Sequence, residues 1–436
     1  MSKRRTMEAR RALLRAIFDA AVAAAHPRHG LQAHLPEPPA GRIIVLAAGK
    51  AAAAMAAVAE EHYRNIGLAP RRLSGLAATR RGHGVPLRHI ELIEAGHPMP
   101  NAQSEAAAAM ALANARRAET GDLVLALLSG GGSANWMAPV EGVSVAQKQT
   151  VTRQLLVSGA PIGAINAVRK HISRIKGGKL AVAARPARVV TLAISDVAND
   201  DPSVIASGPT VPDATTLADA RAVLRDHAIT TEAAITRALN DPANETPKPE
   251  DPVFANSEFR IIARARDALD AAAETARRAG YHVIDLGAAL EGEAREAGLR
   301  HGAIALEAAR TGKPAAIVSG GELTVTVRGK GRGGPNQEYA LALALALRSQ
   351  PELAARISAL AADTDGNDGG SGAITDPAGA FVDGEVIARM ASSPADAADA
   401  LANNDSTAFF ETTGGSFVSG PTMTNVNDLR VILVEP

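Results

Sequence analysis

The sequence predicts a two-lobed α/β protein, and three observations carry that expectation. Short apolar runs that read as buried parallel strands alternate with alanine-rich stretches that read as helices. Glycine-rich or aspartate-rich loops recur after nearly every predicted strand, in both halves of the chain. A polar, proline-rich stretch over 240–252 interrupts the alternation with the composition of a linker. It sets the expected domains at 1–245 and 253–436, in a chain of 436 residues with room for two or three.

Composition narrows the function classes. Aromatic residues are only 3% and alanine is abundant, which favours closely packed helices. The formal net charge of +0 argues against a general nucleic-acid or membrane-surface role. With no cysteine, disulfides, thiolate zinc sites and cysteine nucleophiles are excluded. No apolar run is long enough to span a bilayer. The Arg-rich N-terminus places Leu13, Leu14, Ile17 and Phe18 on one helical face and runs straight into the body. It reads as the first helix of a cytoplasmic protein and not as a transit peptide.

The elements follow in order. Residues 42–46 form an apolar strand, and Ala47-Ala48-Gly49-Lys50 turns it into a helix with Lys50 at its mouth. Residues 90–94 form a second strand, followed by a rigid turn in which His97 reads as structural. The fully apolar strand 123–128 ends in Ser129, Gly130, Gly131, Gly132 and Ser133, where glycines after a buried strand let backbone approach a ligand. Trp136 then walls the same region. The stretch 159–180 carries Arg169, Lys170, His171, Arg174, Lys176 and Lys179. On a helix Arg169 and Lys176 share a face. A solvated basic face is the default reading, and the neighbouring glycine loops favour a role toward an anionic substrate. Strand 189–194 bears Asp196, Asp200 and Asp201 at its carboxyl end. Open α/β sheets bind ligands there, and Asp196, nearest the strand, is the candidate for Mg²⁺ or a base.

Past the linker come a helix over 262–278, a strand over 281–286, a helix over 291–310 and a strand over 315–318. Residues 323–328 alternate apolar and polar like a strand with one buried face. The loop GKGRGG sets Lys330 and Arg332 among glycines, and Pro335 and Glu338 mark the start of a helix that is apolar all round. Free N–H groups at a helix mouth, with two cations beside them, suit a phosphate. Strand 357–360 leads into AADTDGNDGG, whose spacing resembles the start of a calcium loop without its closing glutamate. Mg²⁺ or substrate hydroxyls are the better guests there, with Asp363 first in the run. A polar turn precedes the last strand, 429–434. Together these loops predict a cleft between the lobes, lined by glycine loops, cations and carboxylates. A rival, an NAD(P)H-dependent reductase, would need a GxGxxG turn between a strand and a helix, and neither AAGKAAAAM nor GKGRGG supplies it. A sensor that binds a sugar acid without catalysis is a third class.

The segments SGGGSA, NAVRKHISRIKGGKLA, ISDVANDDPSVIASGPTVPD, SGGELTVTVRGKGRGGPNQE, AADTDGNDGG and GPTMTNVNDLRV resemble the glycerate kinase type-2 family, whose C-terminal part is the MOFRL domain. The resemblance runs from the first helix to the last strand. It is close to the branch that accompanies tartrate-degradation genes and carries the label hydroxypyruvate reductase. It implies two Rossmann-like α/β/α domains with a cleft between them, and phosphorylation of D-glycerate to 2-phosphoglycerate with ATP and Mg²⁺. It also implies that Lys50 and Arg332 are essential. On that basis Lys50 would bind the transferring phosphoryl group or the glycerate carboxylate, and Arg332 would stabilise the transferring group, with Lys330 assisting. Ser129 to Ser133, Arg169, Gly331, Gly333 and Asn336 would bind substrate or phosphate. Asp196, Glu322 and Asp363 are the carboxylates expected at Mg²⁺, Asp196 also as a catalytic group. The expected partners are a small hydroxy acid and a nucleotide, with no nucleic acid and no membrane; a homodimer is kept open.

Overall fold

The longest apolar runs of the first half become the middle of a six-stranded sheet. Its order is β3-β2-β1-β4-β5-β6, where β1 is Ile43–Ala48, β2 Leu73–Arg80, β3 Ile90–Ala95, β4 Leu123–Leu128, β5 Arg188–Ile194 and β6 Ser257–Ala263. The chain is described by a computed structural model that covers residues 5–370, 372–392 and 396–436. Strands β3 to β5 are parallel neighbours. Every residue of β1 and β4 is buried, as expected of parallel strands covered on both faces. Helices Ala52–Asn65 and Ala102–Arg116 follow β1 and β3. The helices Val145–Val157, Ile162–His171, Leu217–Asp226 and Ala233–Asn240 carry a smaller core of their own, built on Leu155, Val168, Leu224 and Ile235.

The chain divides into two units: Gly30–Ile262, and the residues up to His29 together with Ala263–Pro436. This differs from the expected boundary in two ways. The first helix, Met7–Ala25, belongs with the C-terminal residues. There Phe18 packs edge-on against Phe417 with ring centroids 5.1 Å apart, Arg11 pairs with Asp383 at 2.6 Å, and Thr424 Oγ1 donates to the Ala25 carbonyl. The stretch 240–252 is also no free linker. Thr246 is buried, and Glu245 accepts from His171 at 2.8 Å, from Lys248 at 2.7 Å and from the Leu217 N–H at 3.1 Å. Its polar residues are held by specific partners, and composition cannot distinguish that from solvation. The first unit then continues into β6.

The second unit has its own six-stranded sheet, ordered β11-β10-β9-β12-β8-β7: β7 His282–Asp285, β8 Ala315–Gly321, β9 Ile357–Asp363, β10 Gly379–Val382, β11 Ser416–Phe417 and β12 Asp428–Val434. It is mixed. The fully buried β12 lies antiparallel between β8 and β9, with Val431 opposite both Val318 and Leu360. The expected strand 323–328 does not form. Both sides of β8 are already taken, by β12 and β7, so the segment cannot fold back on it as a hairpin and makes only an isolated bridge at Thr324 to Glu293. Val327 is 75% exposed in consequence. The helix Pro335–Arg348 forms as its start signals predict and is buried along most of its length. No helix among the described residues is long and apolar enough to cross a membrane.

Candidate functional site

In the first sheet the strand order reverses between β1 and β4, and ligands of open α/β sheets bind at the carboxyl ends beside such a reversal. The registers bring those ends level, Ala48 opposite Leu128 and Leu128 opposite Ala193. Lys50 after β1, the loop 129–133 after β4 and Asp196 after β5 therefore emerge at one end of the sheet. Lys50 is fixed through its backbone, whose N–H donates to the Gly130 carbonyl at 2.8 Å. Gly131 has φ 86°, and a Cβ there would stand 2.9 Å from His97 Cδ2 and 3.4 Å from Lys50 Cγ, so its side-chain-free face is where these two residues converge. The N–H groups of Gly130 and Gly131 have no protein partner among the described residues. Ser133 Oγ shares a 2.6 Å hydrogen bond with Ser207 Oγ. Ser207 and Ala206 both hold left-handed backbone, φ 61° and 50°, a strain that concentrates at functional sites.

The basic stretch is not a solvated helix face. Its helix stops at His171, so Arg169 lies on it and Lys176 lies beyond, in a turn held by Gly177 and Gly178 N–H groups donating to the carbonyls of Ser207 and Gly208. Lys176 donates to the Ser133 carbonyl at 2.9 Å. Lys148, from the Val145–Val157 helix, donates to the carbonyls of Arg169 and Ile172 at 3.0 and 2.9 Å. Burial, then the neighbouring cations, push the Lys148 and Lys176 ammonium groups well below the usual lysine range, and burial lowers Arg169 as well. Burial also brings Lys179 down to about 8.

The glycine loop of the second unit is occupied by its own chain. The N–H groups of Arg328 and Gly329 donate to Asn404 Oδ1, that of Lys330 to Asn403 Oδ1, that of Gly331 to the Asn403 carbonyl and that of Arg332 to Asp405 Oδ1. The expected phosphate cradle is thereby reduced to the N–H groups of Gly333 and Gly334, and a Cβ on Gly333 would stand 2.1 Å from Ser406 Oγ. The helix mouth has an anion already. Asp368 accepts from the N–H groups of Asn336 at 3.0 Å and Gln337 at 2.8 Å. Asn336, expected at a phosphate, is buried and donates to Asp368 and, at 2.6 Å, to Asp428. The side chains of Lys330 and Arg332 are exposed, and Arg332 pairs with Glu411 at 3.0 Å.

The three carboxylates expected at a metal come from both units. Asp196 belongs to the first unit, Glu322 and Asp363 to the second. In the second unit the register places Asp428 opposite both Gly321, next to Glu322, and Asp363. Asp428 itself is tied to Arg430 and Asn336. The acidic loop after β9 closes on itself, with Asp363 accepting from the Asp365 N–H at 2.8 Å and Asp365 from the Asn367 N–H at 2.7 Å. Among the described residues no group of three or more His, Asp or Glu side chains could hold a metal ion. Such a donor set fits Mg²⁺ as an ion carried by nucleotide phosphates and touched by one or two carboxylates, not as one caged by protein.

Sequence reasoning read His97 as structural and singled out neither Lys148, Ser207 nor Asp428 for the site. The strain at Ser207 is not visible in the sequence, and Lys148 sits in the helix Val145–Val157 with nothing local to mark it.

Comparison with known proteins adds to this geometry. Residues 13–240 match the family described as Domain of unknown function (DUF4147), and residues 315–428 match the MOFRL family. An Agrobacterium vitis protein provisionally named hydroxypyruvate reductase is 46% identical, over 97% of this chain and 94% of its own. The D-glycerate 2-kinase of Thermotoga maritima is 38% identical, over 96% of this chain and 97% of its own. A crystal structure of glycerate kinase from Thermotoga maritima superposes with a TM-score of 0.83 at 37% identity, covering 98% of this chain and 100% of that one.

Proposed function

The chain belongs to the glycerate 2-kinase family, and from that membership and its site we propose that it transfers the γ-phosphoryl group of ATP to D-glycerate, giving 2-phosphoglycerate and ADP. The bond from the γ-phosphorus to the C2 hydroxyl oxygen forms as the bond to the β–γ bridging oxygen breaks. Such a transfer asks for little covalent chemistry from the protein and much positioning and positive charge. The observation that carries the reading is the strand-order reversal beside β1 and β4. Lys50 stands there beside Gly130 and Gly131, and the same loop ends in Ser133, whose carbonyl takes the buried Lys176. Mg²⁺, brought in on the nucleotide, would offset phosphate charge, with Asp363 or Glu322 as the carboxylate within the second unit and Asp196 within the first. Arg332 and Lys330 present exposed charge suited to nucleotide phosphates. A cytoplasmic location, where ATP is at hand, suits this activity.

The reductase name of one relative meets a specific obstacle. A dinucleotide in such a sheet rests its pyrophosphate on the N–H groups of the turn after β1. Here those groups are used: Gly49 donates to Ala78 at 3.1 Å, Lys50 to Gly130 at 2.8 Å, Ala51 to Ser129 Oγ at 3.0 Å and Ala52 to Gly49 at 3.1 Å. The test is ADP release from Mg·ATP with D-glycerate, run beside NADH oxidation with hydroxypyruvate. ADP and 2-phosphoglycerate should form, and EDTA should stop their formation. NADH oxidation without ADP would overturn the kinase reading.

A further inference from the structure

Lys148, Arg169 and Lys176 form one cationic neighbourhood, and no carboxylate among the described residues pairs with any of them. Their polar contacts are the carbonyls of Arg169, Ile172 and Ser133 and the Asn166 side-chain oxygen. Lys148 and Lys176 are each 1% exposed. Buried charges without counter-charges are costly, and each of these works against the others. The same helix shows what the chain does when a buried cation is structural. Lys170 is given Asp213 at 3.3 Å. The uncompensated set differs in its surroundings. Lys148 and Arg169 line a cavity of about 310 Å³ together with Ser133, Gln149, Arg153 and Met137. Ser133 ends the glycine loop that faces Lys50.

We propose that this cavity seats the carboxylate of the hydroxy acid, with Arg169 making the contact and Lys148 and Lys176 supplying the field behind it. The acid's charge then completes a cluster that the empty protein leaves unbalanced. This rests on the kinase reading, since it takes the acid to be the phosphoryl acceptor, and it leaves Lys50 to the transferring group. Phosphate oxygens of the nucleotide share the same chemistry. The size favours the acid, because about 310 Å³ lies at the lower limit of small-molecule pockets and suits a three-carbon acid better than a nucleoside triphosphate. The guanidinium can hold both oxygens of a carboxylate at once.

The test uses the full chain with Arg169→Gln and, as a second route should that variant fold poorly, Lys176→Met. D-glycerate binding without nucleotide is measured by calorimetry, KM for each substrate by steady-state kinetics, and the thermal midpoint by melting. Arg169→Gln should weaken D-glycerate by about 30-fold in both affinity and KM, the loss of a charge-assisted pair. KM for ATP should stay within about twofold, and the midpoint should hold or rise, because a repelling cation is gone. Lys176→Met should move D-glycerate in the same direction by a smaller factor. A rise in KM for ATP with D-glycerate unaffected would assign the cavity to the nucleotide and overturn the proposal. A lowered midpoint with both KM values unchanged would make the cations structural and overturn it too. Wild-type binding of D-glycerate that depends on Arg169, without any ADP formation, would sink the kinase reading and leave the seat standing.

Discussion

The two glycine loops look alike as sequence and differ in what their glycines admit. In the first unit the loop 129–133 keeps the N–H groups of Gly130 and Gly131 unused among the described residues, and the bare face of Gly131 adjoins Lys50 and His97. In the second unit the loop 329–334 admits its own chain. A Cβ on Gly331 would stand 2.3 Å from Asp405 Cβ, and one on Gly329 would stand 2.2 Å from the Asn403 carbonyl oxygen. Missing side chains permit close approach in both cases. In the second, the N–H groups left for a phosphate are those of Gly333 and Gly334, beside the side chains of Lys330 and Arg332.

The largest effect on turnover should come from Arg332. Its side chain is 67% exposed, and its ion pair to Glu411 is a surface pair of small worth. If it stabilises the transferring group, Arg332→Lys should lower turnover by roughly 10³-fold, because a lysine offers a single point of charge where the guanidinium spans two oxygens. ATP affinity and the thermal midpoint should barely move, since interactions that strengthen only at the transition state govern turnover. Calorimetry beside steady-state kinetics checks this. Parent-like turnover would reduce the second loop to scaffolding and widen the contrast between the loops.

The glycines themselves give the next effect. Gly331→Ala must displace the backbone of Asp405, since Cα and N of that residue lie 2.5 and 2.7 Å from the added Cβ. That displacement loosens the five bonds from the N–H groups of residues 328–332 and should cost about 5 kcal/mol, at roughly 1 kcal/mol for each. Gly131→Ala meets only the edge of the His97 ring, which can shift, beside the strain of its φ of 86°. It should cost about 1–2 kcal/mol yet depress turnover far more than that loss of stability would. Denaturant melts and turnover on both variants separate the two loops. A Gly331→Ala chain as stable as the parent but unable to bind ATP would show that the second loop does admit a ligand.

Much of this was legible from the sequence. The apolar runs of β1, β4, β5, β8 and β9 and the signals at Pro335 and Glu338 gave elements where they were expected, and the loops after β1 and β4 came together. What was hidden depends on partners far along the chain. The alternation of 323–328 fits a strand, but the places beside β8 are filled by β7 and by β12 from the end of the chain. β2 escaped because Ser74, Gly75, Ala77 and Ala78 have little strand propensity and only its neighbours decide its state. Nothing local marks Asn403, Asn404 and Asp405 as the lid on a glycine loop, though a run of side-chain acceptors is what such a loop needs. The charges at 169–179 were visible as a group, while their burial was not.

An effect spread over several pH units tests the second loop through the helix it feeds. Asp368 supplies the anion at the mouth of Pro335–Arg348, and it is buried. Burial raises its carboxyl to about 6 from 3.8; the N–H groups of Asn336 and Gln337 pull the other way, and Asp428 adds to the rise. The folded chain therefore holds this proton more tightly than the unfolded chain does. The resulting stability is fully present below about pH 4, falls as pH rises from about 4 to about 6, and is flat above, by up to about 3 kcal/mol for a shift of about two pH units. Asp368→Asn cannot titrate, so the stability of the parent minus that of the variant should fall across that window. Denaturant melts at several pH values, with hydrogen exchange at the Asn336 and Gln337 amides, measure it. A difference that instead grows with pH would mean that the helix mouth outweighs burial and holds the carboxylate ionised. The N-terminus of this helix would then be a strong anion site filled by the protein itself, and the nucleotide phosphates would have to rely on Lys330 and Arg332 alone in this unit.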